Sequence, residues 1–259
     1  MGPVPAARPG HRPPRPPDSS LTTTSAIALL LQGVSGRSGR WLDRRRSKQC
    51  RALLGLLIDD AGAITVRPTD DLDVIIDVSS RVAYYGLEAR LRGLGFRPDR
   101  SAGAPVCRWI VDDVTVDVMP TSIEILGFTN RWYADAMTHA VRRNIAPELA
   151  VRVATAPYFV GMKLEAYAGR GNGDVVASHD LEDIIAIVDG HASLVDEVEA
   201  SSTLLRDYLR DRIGALLDDD ASLAAVPGHL AGDAGSQARR PLVLARLHLL
   251  AGRGRPGSG

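Results

Sequence analysis

Thr69-Asp70-Asp71-Leu72-Asp73-Val74-Ile75-Ile76-Asp77-Val78 is the stretch that decides the fold. Its branched centre reads as a strand over Asp73–Val78, because β-branched side chains fit a pleated, half-buried surface. Side chains alternate along a strand, so Asp71 and Asp73 share one face while Leu72 turns to the core on the other. Two carboxylates held that close repel each other and raise a pKa unless a cation neutralises them. The pair is therefore either a metal site or an acidic accident at a strand edge.

Working outward, Ile64-Thr65-Val66 reads as strand, and Val82–Leu94 carries apolar residues at helical spacing up to the stop Gly93-Leu94-Gly95. Val106–Val111 and Val114–Met119 flank Asp112-Asp113 as a hairpin without the favoured turn glycine, closed by Pro120. Asp117 lies between two valines of that second strand, an apolar setting where an aspartate needs a reason. If the two strands are neighbours, Asp117 arrives at the same point as Asp71 and Asp73. Three converging carboxylates suit Mg²⁺ or Mn²⁺, hard cations that keep positions for water and substrate phosphates.

Beyond Trp132 the sequence predicts one more strand, Leu149–Ala154, and then helices. Pro157 opens a helix through Arg170 with Thr155 as its cap, and Ser178 caps the next, where Leu181, Ile184, Ile185 and Val188 recur at helical spacing. Residues 192–217 and 236–251 read as further amphipathic helices. The expected class is α+β, a small mixed β-sheet followed by a C-terminal helical half. The domains expected are a core over 51–155, a helical region over 156–251 that completes the site, and a flexible tail over 252–259.

Composition bounds the partners. The chain has 259 residues, 45% of them hydrophobic, enough for a sizeable core. Lys+Arg and Asp+Glu both total 31, so global charge argues for neither nucleic acid nor membrane. Residues 1–50 hold nine Lys/Arg against two acids, which sets them at +7 and the remainder at −7. Residues 1–20 also carry seven of the sixteen prolines, a composition that favours disorder. Arg44-Arg45-Arg46-Ser47-Lys48 is a phosphate-binding arm or, more simply, a solvated charge run. Cys50 and Cys107 are too few and too far apart for a disulfide framework, so a reducing, cytoplasmic setting is expected. Ala26–Leu31 is far short of the roughly 20 apolar residues that cross a bilayer, and no membrane partner is expected.

Thr69-Asp70-Asp71-Leu72-Asp73-Val74, Val116-Asp117-Val118-Met119-Pro120, Ala156-Pro157-Tyr158-Phe159 with Lys163 and Ala166, and Ser178-His179-Asp180-Leu181-Glu182-Asp183 follow one another in an order that resembles the AbiEii-type nucleotidyltransferases. These are toxin components of abortive-infection and toxin-antitoxin systems with a DNA-polymerase-β-like catalytic fold. The resemblance spans about residues 63–250. It implies a Mg²⁺-dependent enzyme that moves a nucleotide from an NTP to an acceptor, tRNA in the characterised branch, with a cognate antitoxin as a further partner. It also implies that Asp71, Asp73 and Asp117 are the metal ligands, Asp117 acting on the acceptor hydroxyl. Lys163 resembles the lysine that contacts the nucleotide, and Asp180 or Asp183 the acidic residue of the second helix.

One element of the family pattern is missing. A Gly-Gly or Gly-Ser turn ahead of the aspartates normally holds the triphosphate through backbone N–H groups, and Leu53–Gly62 offers only isolated glycines. With the composition of residues 1–50, this predicts a frame-shifted, misassigned or degenerate amino-terminal region. It also keeps open a protein of the same fold that binds without turnover, and below it a D-x-D glycosyltransferase. His179-Asp180 lacks the second histidine pair that a phosphohydrolase needs. Trp109 and Trp132, beside Arg108 and Arg131, are base-stacking candidates whose simpler reading is core. Arg170-Gly171-Asn172-Gly173 is a connection where an RNA phosphate could be met.

Overall fold

The computed structural model describes residues 56–60, 62–63, 71–78, 80–112, 114–146, 149–170 and 175–254. The strand expected at Ile64–Val66, the charge run at 44–48 and the rest of the amino-terminal region lie outside the described residues. So do residues 171–173 of the glycine-rich connection.

The fold is α+β, as the sequence predicts. Strand β1 (Asp71–Ile76) leads through Ser80, whose side chain accepts from the Ala83 N–H, into helix α1 (Arg81–Gly93). Gly95, at φ 90°, makes the left-handed exit that glycine alone takes easily. Strands β2 (Arg97–Pro98), β3 (Arg108–Val111) and β4 (Val114–Pro120) follow. The sheet order is β1-β4-β3-β2, with β1 parallel to β4 and the other neighbours antiparallel. The expected hairpin forms, and Asp112 supplies its left-handed residue at φ 50° in place of a glycine.

Short helices α2 (Ile123–Leu126) and α3 (Tyr133–Thr138) carry the chain to a separate two-stranded sheet, β5 (Val141–Ala146) paired with β6 (Leu149–Val153). Only β6 was legible in the sequence. β5 reads Val-Arg-Arg-Asn-Ile-Ala and shows little apolar alternation, so its strand character comes from pairing with β6.

Helices α4 (Ala156–Arg170) and α5 (His179–Gly190) form the centre of the helical half, and Ser178 caps α5 through the Leu181 N–H, as its position predicts. The single helix expected over 192–217 is two, α6 (Leu194–Glu199) and α7 (Thr203–Asp218). Ser202 caps α7 and so restarts the helix. After α8 (Asp220–Ala225) and a 3₁₀ turn at Val226–His229, the segment 236–251 likewise divides into α9 (Ala234–Ala238) and α10 (Arg240–Leu250), with Pro241 in the first turn of α10.

Two apolar clusters result. Val74 and Ile76 of β1 join Val116, Val118, Trp109 and Val111 beneath Tyr84 and Leu91 of α1, with Leu72 packed alongside. The larger cluster gathers α4, α5, α7 and α10, and Ile75 packs against it from the opposite face of β1. The odd-numbered face of β1 is thus turned toward the helical half. Trp109 and Trp132 are core residues, 2% and 1% exposed, which removes them as base-stacking platforms.

Candidate metal and nucleotide site

The strand register builds the site. Asp73 lies level with Asp117 across the parallel β1–β4 pair, and Asp117 lies level with Arg108 across the antiparallel β4–β3 pair. Asp73, Asp117 and Arg108 therefore make one row across three strands, spaced about 4.8 Å per strand step. The buried Val74, Val116, Val118 and Trp109 and the partly buried Leu72 occupy the alternate positions beneath α1, which puts the row on the opposite face, the one Ile75 turns to the helical half. Asp71 opens β1 level with Thr115, one pleat period from Asp73; its side chain lies outside the described residues.

Asp117 is held by Arg108. The guanidinium Nε donates to Oδ1 at 2.9 Å and Nη2 to Oδ2 at 2.8 Å, a two-pronged pair in which both carboxylate oxygens accept. The sequence contained the signal for this pair. A two-residue hairpin connection places Val111 opposite Val114, and counting three residues outward from each reaches Arg108 and Asp117.

Lys163 occupies the third turn of α4. Its ammonium lies 2.6 Å from an Asp183 oxygen and 3.6 Å from an Asp180 oxygen, so both acids named from the sequence converge on it from α5. Asp180 is 2% exposed, while Asp183 reaches the surface. Phe159, one turn back, lies under the ammonium at 5.6 Å. Burial by itself pulls the ammonium pKa down. The charge of Asp183, its hydrogen bond, and then the charges of Asp73 and Asp180 outweigh it, and the pKa stands above the ordinary 10.5. The influence of Asp73 ties the lysine on the helices to the carboxylate row on the sheet.

The position of Lys163 is fixed from behind. Asn130, buried ahead of α3, donates from its side-chain amide to the Met162 carbonyl at 2.8 Å and accepts from the Trp132 N–H at 3.1 Å. The Tyr208 hydroxyl donates to Glu165 at 2.7 Å, linking α7 to α4 two residues beyond Lys163. His179 pairs with Glu182 at the surface, 3.2 Å apart. Cys107, buried next to Arg108, has its thiol pKa pushed up to about 11, first by burial and then by the charge on Asp117.

The described residues of the Leu53–Gly62 stretch, which has no paired glycine turn, are engaged elsewhere. The N–H groups of Asp59 and Asp60 both donate to the Gly190 carbonyl at 3.0 Å, and Asp59 accepts from the Ala192 N–H at 2.9 Å. These bonds close the carboxyl end of α5.

Asp73 and Asp117 stand side by side on adjacent strands, with Arg108 on the sheet and Lys163 on α4 as nearby cations, and two carboxylates so placed suit one divalent cation. Among the described residues no group of three or more His, Cys, Asp or Glu side chains is gathered closely enough to hold a metal. No helix of the described residues is long and apolar enough to cross a membrane. No protein-family model matches the chain, and comparison with curated proteins finds no significant relative.

Proposed function

We propose that this chain is a metal-dependent nucleotidyltransferase, moving a nucleotide from an NTP to an RNA acceptor such as tRNA in a reducing, cytoplasmic setting, as in toxin components paired with an antitoxin. The observation that carries the reading is the pairing of Asp73 with Asp117 on parallel neighbouring strands, with Lys163 placed to feel the charge of Asp73. Asp71, Asp73 and Asp117 would hold Mg²⁺ or Mn²⁺. Once bound, such an ion neutralises triphosphate charge and eases ionisation of an attacking hydroxyl.

The chain's own residues have separable tasks. Lys163 offers a compact positive charge to the triphosphate, and Asp180 and Asp183 orient the ammonium and keep it protonated. Asp117 accepts the acceptor hydroxyl's proton or hydrogen bond. Asn130 and Tyr208 hold α4 so that Lys163 does not drift from the row.

One observation favours a second reading, a binding module of the same fold without turnover. Arg108 occupies both oxygens of Asp117, and the segment ahead of the aspartates caps α5 where family members carry a phosphate turn. Incubating the protein with Mg²⁺ or Mn²⁺, each α-labelled NTP and total tRNA separates the two. Label in RNA that disappears in Asp73→Ala supports the enzyme. Metal-independent RNA binding without transfer supports the module, and label taken from UDP-sugars instead would move the chain to the glycosyltransferases.

A further inference from the structure

Arg108 stands where the metal reading and the structure compete. Its two donors take the two oxygens that Asp117 would turn to a divalent cation, and a carboxylate gripped on both oxygens has its strongest lone-pair directions in use. A cation that approaches along those same directions competes with the guanidinium for them, and only the outer lone pairs of Asp117 stay open beside it. Its side chain is 13% exposed against 28% for Arg108, so the guanidinium has the freer path to solvent and to a ligand. The planar fork that matches a carboxylate also matches a phosphate.

We propose that Arg108 is an exchangeable counter-ion. A divalent cation bound at Asp73 and Asp117 takes Asp117 from it, and the released guanidinium then binds an oxygen of the substrate's polyphosphate. This rests on the nucleotidyltransferase reading and deepens it by naming a phosphate contact for a chain that lacks the paired glycine turn. Without an ion Arg108 supplies the counter-charge of Asp117 within the row, while Lys163 serves Asp183 and Asp180 on α5. When the ion arrives, the positive charge it makes redundant lies one strand from where phosphate must sit. Metal and polyphosphate binding are then coupled, each favouring the other to the same degree.

The test uses the full chain and two readouts. Free Mn²⁺ is followed by electron paramagnetic resonance as protein is added, for the wild type, R108Q, R108K and D73N. Exchange predicts that R108Q binds Mn²⁺ about tenfold more tightly than the wild type, that R108K falls between, and that D73N loses the site. In parallel, the Arg108 Nε–Hε resonance of the ¹⁵N-labelled wild type is followed on adding Mg²⁺ and then inorganic triphosphate, with assignment by R108K. Two successive shifts are expected, which a mere loss of positive charge in a variant does not produce.

Equal or weaker Mn²⁺ binding in R108Q, with the Asp73-dependent site present, overturns the exchange and leaves the metal reading standing. Absence of any Asp73-dependent site overturns both. Should R108Q fail to fold, the wild-type resonance decides: an Arg108 signal unmoved at saturating Mg²⁺ overturns the proposal.

Discussion

Lys163 and Cys107 carry the residue-scale consequences. Lys163 pairs with Asp183 and Asp180 and feels the charge of Asp73, so Lys163→Met removes one ion-pair partner of the buried Asp180. Part of Lys163 is in contact with solvent, and the expected loss is about 2–3 kcal/mol in urea denaturation, with Lys163→Arg recovering most of it. The folded lysine pKa is raised, so this stabilisation is fully present below the ordinary value of 10.5 and fades as pH climbs through the higher folded value. The wild-type minus Lys163→Met difference should therefore stay level from about pH 7 to 9 and shrink only past about 10.5. Cys107, its thiol raised to about 11 by burial and then by Asp117, should resist a disulfide reagent at pH 8 in a Cys50→Ser background and react at once in guanidinium. Rapid labelling of the native protein would contradict the placement of β3. At this scale Asp117 was conspicuous between two valines, and Asp71 with Asp73 through their two-residue spacing, whereas Lys163, Asp180 and Asp183 were named through the family resemblance. Arg108 was legible only through hairpin register, and the sequence alone drew attention to its neighbour Trp109 instead.

Elements were readable where local chemistry marks them. Ser178 and the glycines at 93 and 95 bound α5 and α1 as expected, and Ser80 caps α1 in the same local way, because capping and left-handed exits are local requirements. β5 was not readable, since its arginines fit a strand only once β6 lies beside it. Gly190 shows a constraint of a third kind, in which two elements touch. Its carbonyl takes the N–H groups of Asp59 and Asp60, and a Cβ there would stand 2.8 Å from Ile58 Cγ2 and 3.1 Å from the Ala63 Cβ. Gly190→Ala should lose about 1–3 kcal/mol by overpacking, read as a shifted denaturation midpoint, and Ile58→Ala in the same chain, which removes both clashing Cγ atoms, should make that substitution cost less. Loss without any such rescue would mean that the 58–63 segment does not lie on α5. That segment was read from the sequence as the place of a missing phosphate turn. Its described residues instead cap a helix, a role set by contacts some 130 positions away along the chain.

At the scale of the molecule, a four-stranded sheet under α1 and a helical half meet where β1 turns its Asp73 and Ile75 face toward α4. The α+β class followed from the order of strand and helix patterns, whereas the meeting of the two halves at a charged seam required the three-dimensional register. A cation that binds the folded row and not the unfolded chain should stabilise the protein. Mg²⁺ at about 100 times its dissociation constant should add about 2.7 kcal/mol to the wild type by mass action, raising its melting temperature, and should do nothing for Asp73→Asn. The proposed nucleotide transfer at the Asp73–Asp117 row is measured as the single-turnover rate of label transfer from an α-labelled NTP to RNA with Mg²⁺. Transfer is expected from the wild type, with a fall of about a thousandfold or more in Asp73→Asn, whose fold remains intact by circular dichroism. Transfer that persists undiminished in folded Asp73→Asn would contradict the proposal.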